Sequence, residues 1–130
     1  MPTVIASLLI AVMMPQVCAW MSGYFRYKQF GQVDNKHPRL QVAQLEGPGH
    51  RASAAQQNCW EALAMFSAAL LAIHMRGLVL DSIATLCIVF VAARVVYIIC
   101  YLANIDIVRS LSFMVSFGIC LTLFYKALAG

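Results

Sequence analysis

The residues most capable of chemistry lie on one helical stripe, where a polar segment runs into a long apolar stretch. A helix of about 3.6 residues per turn places a cation, a small residue, an amide and a carboxylate on the same side. They are Arg51, Ala55, Asn58 and Glu61. Residues 62–73 are almost entirely apolar, and a carboxylate beside a membrane span is costly unless it faces protein or water. The stripe therefore predicts a functional site.

A second polar group lies within the third apolar stretch of the chain. Arg94, Tyr97 and Tyr101 share one face of a helix, at spacings of three and four residues. Arg94 is surrounded by apolar residues and needs a partner, for which Glu61 on the neighbouring helix is the obvious acid. Alternatively, Arg94, Asn58 and Glu61 form a buried polar clasp whose sole role is to fix the register of the helices.

Arg109 and Ser110 stand at the start of the fourth apolar stretch. A helix N-terminus offers free N–H groups and the positive end of the helix dipole, so it favours an anion or a thiolate. An arginine beside such a terminus would strengthen the binding of either. Alternatively, Arg109 is an interfacial anchor whose guanidinium reaches the lipid headgroups.

Composition indicates the class of protein that must position these residues. The chain has 130 residues, enough for one domain, of which 62% are hydrophobic and 11% are charged, and its mean hydropathy is +0.80. A soluble domain of this size would have too little polar surface to cover itself, so we predict a membrane protein. Much of the net charge of +4 lies in one loop, which indicates orientation in a membrane and not a nucleic-acid partner.

The cysteine and histidine residues do not predict a disulfide framework or a metal site. The cysteines are odd in number, lie in apolar segments and contain no C-x-x-C pair. They are Cys18, Cys59, Cys87, Cys100 and Cys120. We interpret them as small buried side chains. His37, His50 and His74 do not stand at the spacings of metal ligands.

Four apolar stretches predict a single all-α membrane domain, residues 1–130, folded as an antiparallel four-helix bundle. The expected spans are about 2–25, 54–75, 78–102 and 108–129, with a long loop at about 26–50. The second helix is expected to begin near Arg51, with Ser53 as its candidate cap.

Charge predicts how this bundle is oriented. Basic residues outnumber acidic ones in the long loop, so the positive-inside rule places the loop in the cytoplasm and both termini on the non-cytoplasmic side. The polar residues of the second, third and fourth helices would then converge in the cytoplasmic half. They are Arg51, Asn58, Glu61, Arg94, Tyr97, Tyr101 and Arg109.

Together these motifs resemble the membrane-associated eicosanoid and glutathione metabolism (MAPEG) family, which includes microsomal glutathione transferases and the membrane enzymes that make leukotrienes and prostaglandins. The matching positions are Arg51, Ala55, Asn58 and Glu61 in the second helix, Arg94, Tyr97 and Tyr101 in the third, and Arg109 with Ser110 in the fourth. The resemblance covers essentially the whole chain, which looks like a member of the bacterial branch.

The resemblance implies a left-handed bundle assembled as a homotrimer, with glutathione as co-substrate bound between subunits on the cytoplasmic side. Arg109 would be the catalytic residue, because a cation near the sulfur favours the reactive thiolate. Glu61 would hold the glutathione amine, and Arg26 roughly matches a family arginine near the lipid substrate. The implied binding residues are Arg26, Arg51, Asn58, Glu61, Arg94, Tyr97, Tyr101 and Ser110.

The implied function is that of a glutathione-dependent transferase or peroxidase, which acts on a hydrophobic small-molecule electrophile from the membrane lipids, in the bacterial inner membrane. One departure is Ala54, where the eicosanoid enzymes carry an arginine that contacts an anionic group of glutathione. It favours the alternative of a non-catalytic lipid-binding or structural member. A third hypothesis, a small multidrug transporter, would require an acid in the first span, which has none.

Overall fold

The computed structural model describes every residue from 1 to 130 and contains five helices and no strands. The helices are α1 (Pro2–Phe30), α2 (Pro38–Ala43), α3 (Pro48–Met75), α4 (Asp81–Leu102) and α5 (Asp106–Ala129). All but α2 are long and apolar enough to cross a membrane. They form a bundle in which α1 packs mainly against α3, and α4 against α5. The predicted all-α fold with four spans is confirmed.

Each long helix buries one narrow seam, whose positions recur at intervals of three and four residues. In α3 the seam includes Ala52, Ala55, Cys59, Ala62, Phe66, Ala69 and Ile73, and in α4 it includes Ile83, Cys87, Phe90, Arg94 and Tyr97. Such a repeat averages 3.5 residues and is typical of left-handed bundles, because it keeps one stripe facing the neighbouring helices. The many alanines of the α3 seam allow close helix packing.

Two clusters of buried side chains make up the core. The larger is centred on Phe66 and Phe90, whose rings are stacked with centroids 3.9 Å apart. The smaller contains Met14, Cys18, Ala55 and Cys59. It lies toward what we call the loop end, the end of the bundle formed by residues 26–51 and 101–109.

The helix boundaries at the loop end differ from those expected. α1 continues past residue 25 to Phe30, so Arg26 lies on a helix and not in the loop. α3 begins at Pro48, with Gly47 as its N-cap, because proline suits the first turn of a helix. The prediction that Ser53 caps this helix is therefore wrong. Its hydroxyl donates to the Gly49 carbonyl at 3.2 Å and also hydrogen-bonds with the Ser22 hydroxyl on α1 at 2.7 Å.

The helices also begin at different positions in the second half of the chain. α4 begins at Asp81, after residues 78–80 that are not helical, whereas the third span was expected from about 78. α5 begins at Asp106 and not near Val108. Each of these two helices therefore has an aspartate in its first turn, where a negative charge interacts favourably with the helix dipole.

The loop between α1 and α3 is ordered by a small network of hydrogen bonds. The Asp34 carboxylate accepts the backbone N–H groups of Lys36 and His37, both at 2.9 Å. The Gln41 side chain on α2 donates to the Gln32 carbonyl at 2.8 Å and accepts the Asp34 N–H at 3.0 Å. The bond from His37 is the main reason that the pKa of the Asp34 carboxyl is lowered.

Candidate functional site

Arg94 is the buried centre of the polar residues predicted from the sequence. It occupies a seam position of α4 and is only 1% exposed. Its Nη2 donates to Asn58 Oδ1 on α3 at 2.7 Å and lies 3.7 Å from Cys59 Sγ. Nε and Nη1 of the same guanidinium are buried without any hydrogen-bond partner. Arg94 therefore retains unused donor groups, which in a buried cation carry a large desolvation cost.

The expected ion pair between Arg94 and Glu61 is not formed. Asn58 stands between them: it accepts from Arg94 and donates through Nδ2 to Glu61 Oε2 at 3.5 Å. Residues three apart on a helix are offset by about 60° around its axis. Asn58 consequently points toward α4, whereas Glu61 is exposed on the outer side of α3. The carboxylate remains accessible to a ligand or to another protein chain.

The two tyrosines form a polar row with two arginines, in which the tyrosine rings lie side by side and one arginine contacts each end. The Arg94 guanidinium lies over the Tyr97 ring, 4.2 Å from its centroid, and the Arg109 guanidinium lies 4.5 Å from that of Tyr101. The tyrosine rings meet edge to face, with centroids 5.7 Å apart. The contact of Arg109 with Tyr101 thus links α5 to α4, and the two cation–π contacts restrain both guanidinium groups.

Arg109 is the fourth residue of α5, which begins at Asp106. The Asp106 carboxylate accepts the N–H of Ile107 at 2.8 Å and so satisfies one of the N–H groups at this helix end. Arg109 is half-buried, and Ser110 is exposed. An anion at this place would meet the guanidinium of Arg109 beside a helix end that already has one acid.

Arg51 on α3 hydrogen-bonds to the C-terminal end of α4. Its Nε and Nη2 donate to the carbonyl oxygen of Leu102, at 3.4 and 3.3 Å. The carbonyl belongs to the last turn of α4, where no intrahelical donor is available. Arg51 therefore stabilises the junction of α3 and α4 and stands near the polar row at the same end of the bundle.

Arg26 lies outside this cluster, in an open cavity of about 680 Å³ between α1, α2 and α3. Its Nε and Nη1 are buried without hydrogen-bond partners. Four polar or basic residues that the sequence did not assign to a site also line this cavity. They are Arg39, His50, Gln56 and Gln57. A pattern could have revealed part of it, because Ser53, Gln56, Gln57 and Trp60 follow the spacing of one helix face.

The loop end carries more positive than negative charge around these side chains. Arg51, Arg94 and Arg109 belong to the polar cluster, and Glu61 is its one acid. The Arg26 cavity adds further cations without an acidic residue among its lining. Unsatisfied guanidinium donors in such surroundings fit the carboxylate groups of an anionic ligand.

The chain matches the model of the MAPEG family over residues 3–129. The chain belongs to the MAPEG family. No curated protein and no solved structure matches it. As a MAPEG protein with four apolar helices, it is a multi-pass membrane protein.

The MAPEG assignment confirms the family that the motifs in α3, α4 and α5 indicated from the sequence. The side chains of the polar cluster come from three of the four spans, α3, α4 and α5. They lie in the half of the bundle nearer to the long loop and to the connection between α4 and α5.

Proposed function

We propose that this MAPEG protein is a glutathione-dependent transferase or peroxidase that acts on a hydrophobic electrophile. The observation that carries the proposal is the unmatched guanidinium charge at the loop end, where Arg94 keeps two buried donor groups without partners. A ligand with carboxylates, an amine and a thiol is complementary to the three arginines and the one exposed acid. Glutathione, the co-substrate implied by the family resemblance, has this set of groups.

Each polar side chain has a role in this proposal that follows from its position. Glu61 is exposed and is free to pair with the ligand amine, while Arg94, Asn58, Tyr97 and Tyr101 hold its carboxylates and backbone. Bound glutathione would supply the thiol that reacts with the electrophile. Arg109 is the catalytic residue, because its half-buried guanidinium would stabilise the negative charge of a thiolate.

The assembly and location that we propose make the site accessible from two phases. A homotrimer would place the Arg26 cavity of one subunit close to the polar cluster of the next, so that Arg26 and Ser110 join the binding surface. The hydrophobic substrate would enter from the membrane lipids and the thiol from the cytoplasm. This orientation, with both termini on the non-cytoplasmic side of a bacterial inner membrane, follows from the basic loop.

Calorimetric titration of the detergent-purified protein with glutathione tests the binding step. We expect a dissociation constant of about 1 mM or lower, which corresponds to roughly −4 kcal/mol, and a loss of at least tenfold in Arg109→Ala because a charged contact is removed (about 1.4 kcal/mol). Lys126→Ala is the matched control, since Lys126 is a cation at the opposite end of α5. No heat in the wild type, or equal losses in both variants, would contradict the proposal.

A non-catalytic, lipid-binding or structural role is the second candidate, and two contacts favour it. Arg51 is engaged by the Leu102 carbonyl and Arg94 by Asn58, while Ala54 offers no charge to a ligand. On this view the cluster fixes helix register. The double variant Glu61→Gln with Arg94→Met distinguishes the two roles. If the site is catalytic, the wild type binds glutathione and the folded double variant does not. If the cluster is structural, the wild type itself does not bind glutathione.

A further inference from the structure

Two cysteines from different helices meet in the small core next to the polar cluster. Cys18 on α1 and Cys59 on α3 belong to the same group of buried side chains, with exposed fractions of 0% and 3%. Met14 and Ala55 complete this cluster, so the two thiols lie on facing sides of the contact between α1 and α3. All five cysteines of the chain are free thiols, so this pair is in its reduced state.

The register of α1 against α3 explains why these thiols meet. The hydroxyl groups of Ser22 and Ser53 hydrogen-bond at 2.7 Å, which shows how closely the two backbones approach. The helices are antiparallel, so moving one turn back along α1 from Ser22 reaches Cys18, opposite the turn of α3 that contains Cys59. Ala55 in that turn keeps the contact close, and a disulfide requires such an approach.

Arg94 makes the two thiols chemically different. Its Nη2 lies 3.7 Å from Cys59 Sγ, and its Nε and Nη1 have no other partner. A buried guanidinium with unused donors favours a negative charge on the nearest sulfur, and the thiolate is the nucleophilic form of cysteine. Cys59 is thus the activated thiol, and Cys18 is the thiol beside it.

We propose that Cys59 and Cys18 form a peroxide-reactive dithiol, in which a hydroperoxide oxidises Cys59 and Cys18 then closes a disulfide between α3 and α1. The Cys59 thiolate attacks one peroxide oxygen, the O–O bond breaks, and the leaving oxygen takes a proton to give an alcohol or water. Cys59 becomes a sulfenic acid. The Cys18 sulfur then displaces its hydroxyl, which leaves as water with the Cys18 proton.

The residues beside Cys59 on α3 are polar. Asn58 is half-buried and Glu61 is exposed one turn further along the helix, so polar side chains stand between the thiol and the surface. Hydrogen peroxide is little larger than water and carries the hydrogen-bonding groups that Asn58 can accommodate. The oxidant class is therefore a small hydroperoxide.

The larger core contains a matched pair for comparison. Cys87 and Cys120 are as deeply buried as Cys59, at 0% and 2% exposed, but Arg94 hydrogen-bonds only to the sulfur of Cys59. If burial alone set the reactivity, all these thiols would react alike. Arg94 is the difference that the proposal depends on.

Intact mass measurement of the full chain in detergent, after treatment with hydrogen peroxide, tests the proposal. We expect the loss of two hydrogens, a Cys18–Cys59 linked peptide and reversal by dithiothreitol. The variant Cys18→Ser should stop at a sulfenic acid that a dimedone probe traps on Cys59. The control with Cys87→Ser and Cys120→Ser together should oxidise as the wild type does, and Arg94→Met should slow the reaction by about tenfold or more.

Several results would overturn the dithiol. They are an unchanged mass after peroxide, oxidation of Cys87 or Cys120 as fast as that of Cys59, and a mass change that survives in Cys59→Ser. The experiment contains no glutathione, so its outcome is independent of the binding experiment above.

Discussion

At the scale of single residues, Arg94 shows what the sequence could and could not predict. An arginine at a seam position of an apolar helix must be buried and must find a polar partner, and both expectations hold. The partner is Asn58 and not Glu61, because the choice depends on the rotation of α3 about its axis. Patterns in the sequence give a stripe of candidates, whereas side-chain packing selects among them.

Asn58 and Arg94 should respond in opposite ways to truncation. Asn58→Ala leaves the buried guanidinium without its short hydrogen bond, and we expect a loss of about 2 kcal/mol in stability. Arg94→Met removes the charge together with its unsatisfied donors, and it should leave stability unchanged or higher. Thermal unfolding in one detergent compares the two variants. A lower melting temperature for Arg94→Met than for Asn58→Ala would contradict this account.

At the scale of elements, the apolar stretches predicted the four spans but not their ends. The second helix was expected near Arg51, but α3 begins at Pro48, because proline suits the first turn of a helix. The short helix α2 is too short to show a pattern from which it could be predicted. The hydrogen bonds of Gln41 hold it in place. Tertiary contacts therefore set the boundaries at the loop end.

Gly49 in the first turn of α3 should not tolerate a side chain. An added Cβ would lie 2.7 Å from the Phe25 Cβ and 2.8 Å from Leu45 Cγ, so Gly49→Ala should cost about 1–3 kcal/mol through overpacking. Gly118→Ala is the control, because no atom lies within 4 Å of its added Cβ and alanine is the better helix former. Melting temperatures should fall in the first variant and not in the second.

The loop should loosen in acid through Asp34. Hydrogen bonds from the His37 and Lys36 N–H groups lower the pKa of this carboxyl from its ordinary value of 3.8. The ionised form therefore stabilises the loop above that value, and the effect is lost as the pH falls through the lowered pKa of the folded state. The amides of residues 34–41 should lose protection against hydrogen exchange, relative to their intrinsic rates, below about pH 4 in the wild type, whereas Asp34→Asn should show low protection at every pH. A wild-type protection that stays constant as the pH falls through this range would refute this.

At the scale of the whole molecule, hydropathy and the four apolar stretches were sufficient to predict the bundle. They could not predict what covers the outer surface of the bundle, because a surface that faces lipid and a surface that faces a second subunit are both made of apolar side chains. Ile5, Leu9, Leu71, Val79 and Met114 are all well exposed on the outer faces of the single chain. The sequence also did not reveal the Arg26 cavity, which forms where the successive helices α1, α2 and α3 pack together.

The trimer that we propose is tested by the mass of the particle in detergent. We expect about three times the 14.3 kDa of one chain after the detergent contribution is subtracted, because closed rings of identical subunits satisfy every copy of an interface. Light scattering combined with size exclusion measures this mass. A particle containing a single chain would remove the basis for a site shared between subunits.

The central claim is that the loop end binds glutathione and ionises its thiol, and thiolate absorbance measures this most directly. Ultraviolet difference spectra of glutathione mixed with the detergent-purified protein should show thiolate in the wild type and in the control Lys126→Ala. The spectrum of Arg109→Ala should lack it, since the cation nearest the thiol is gone. A wild type that gives no thiolate absorbance, or an Arg109→Ala variant that gives as much as the wild type, would contradict the account.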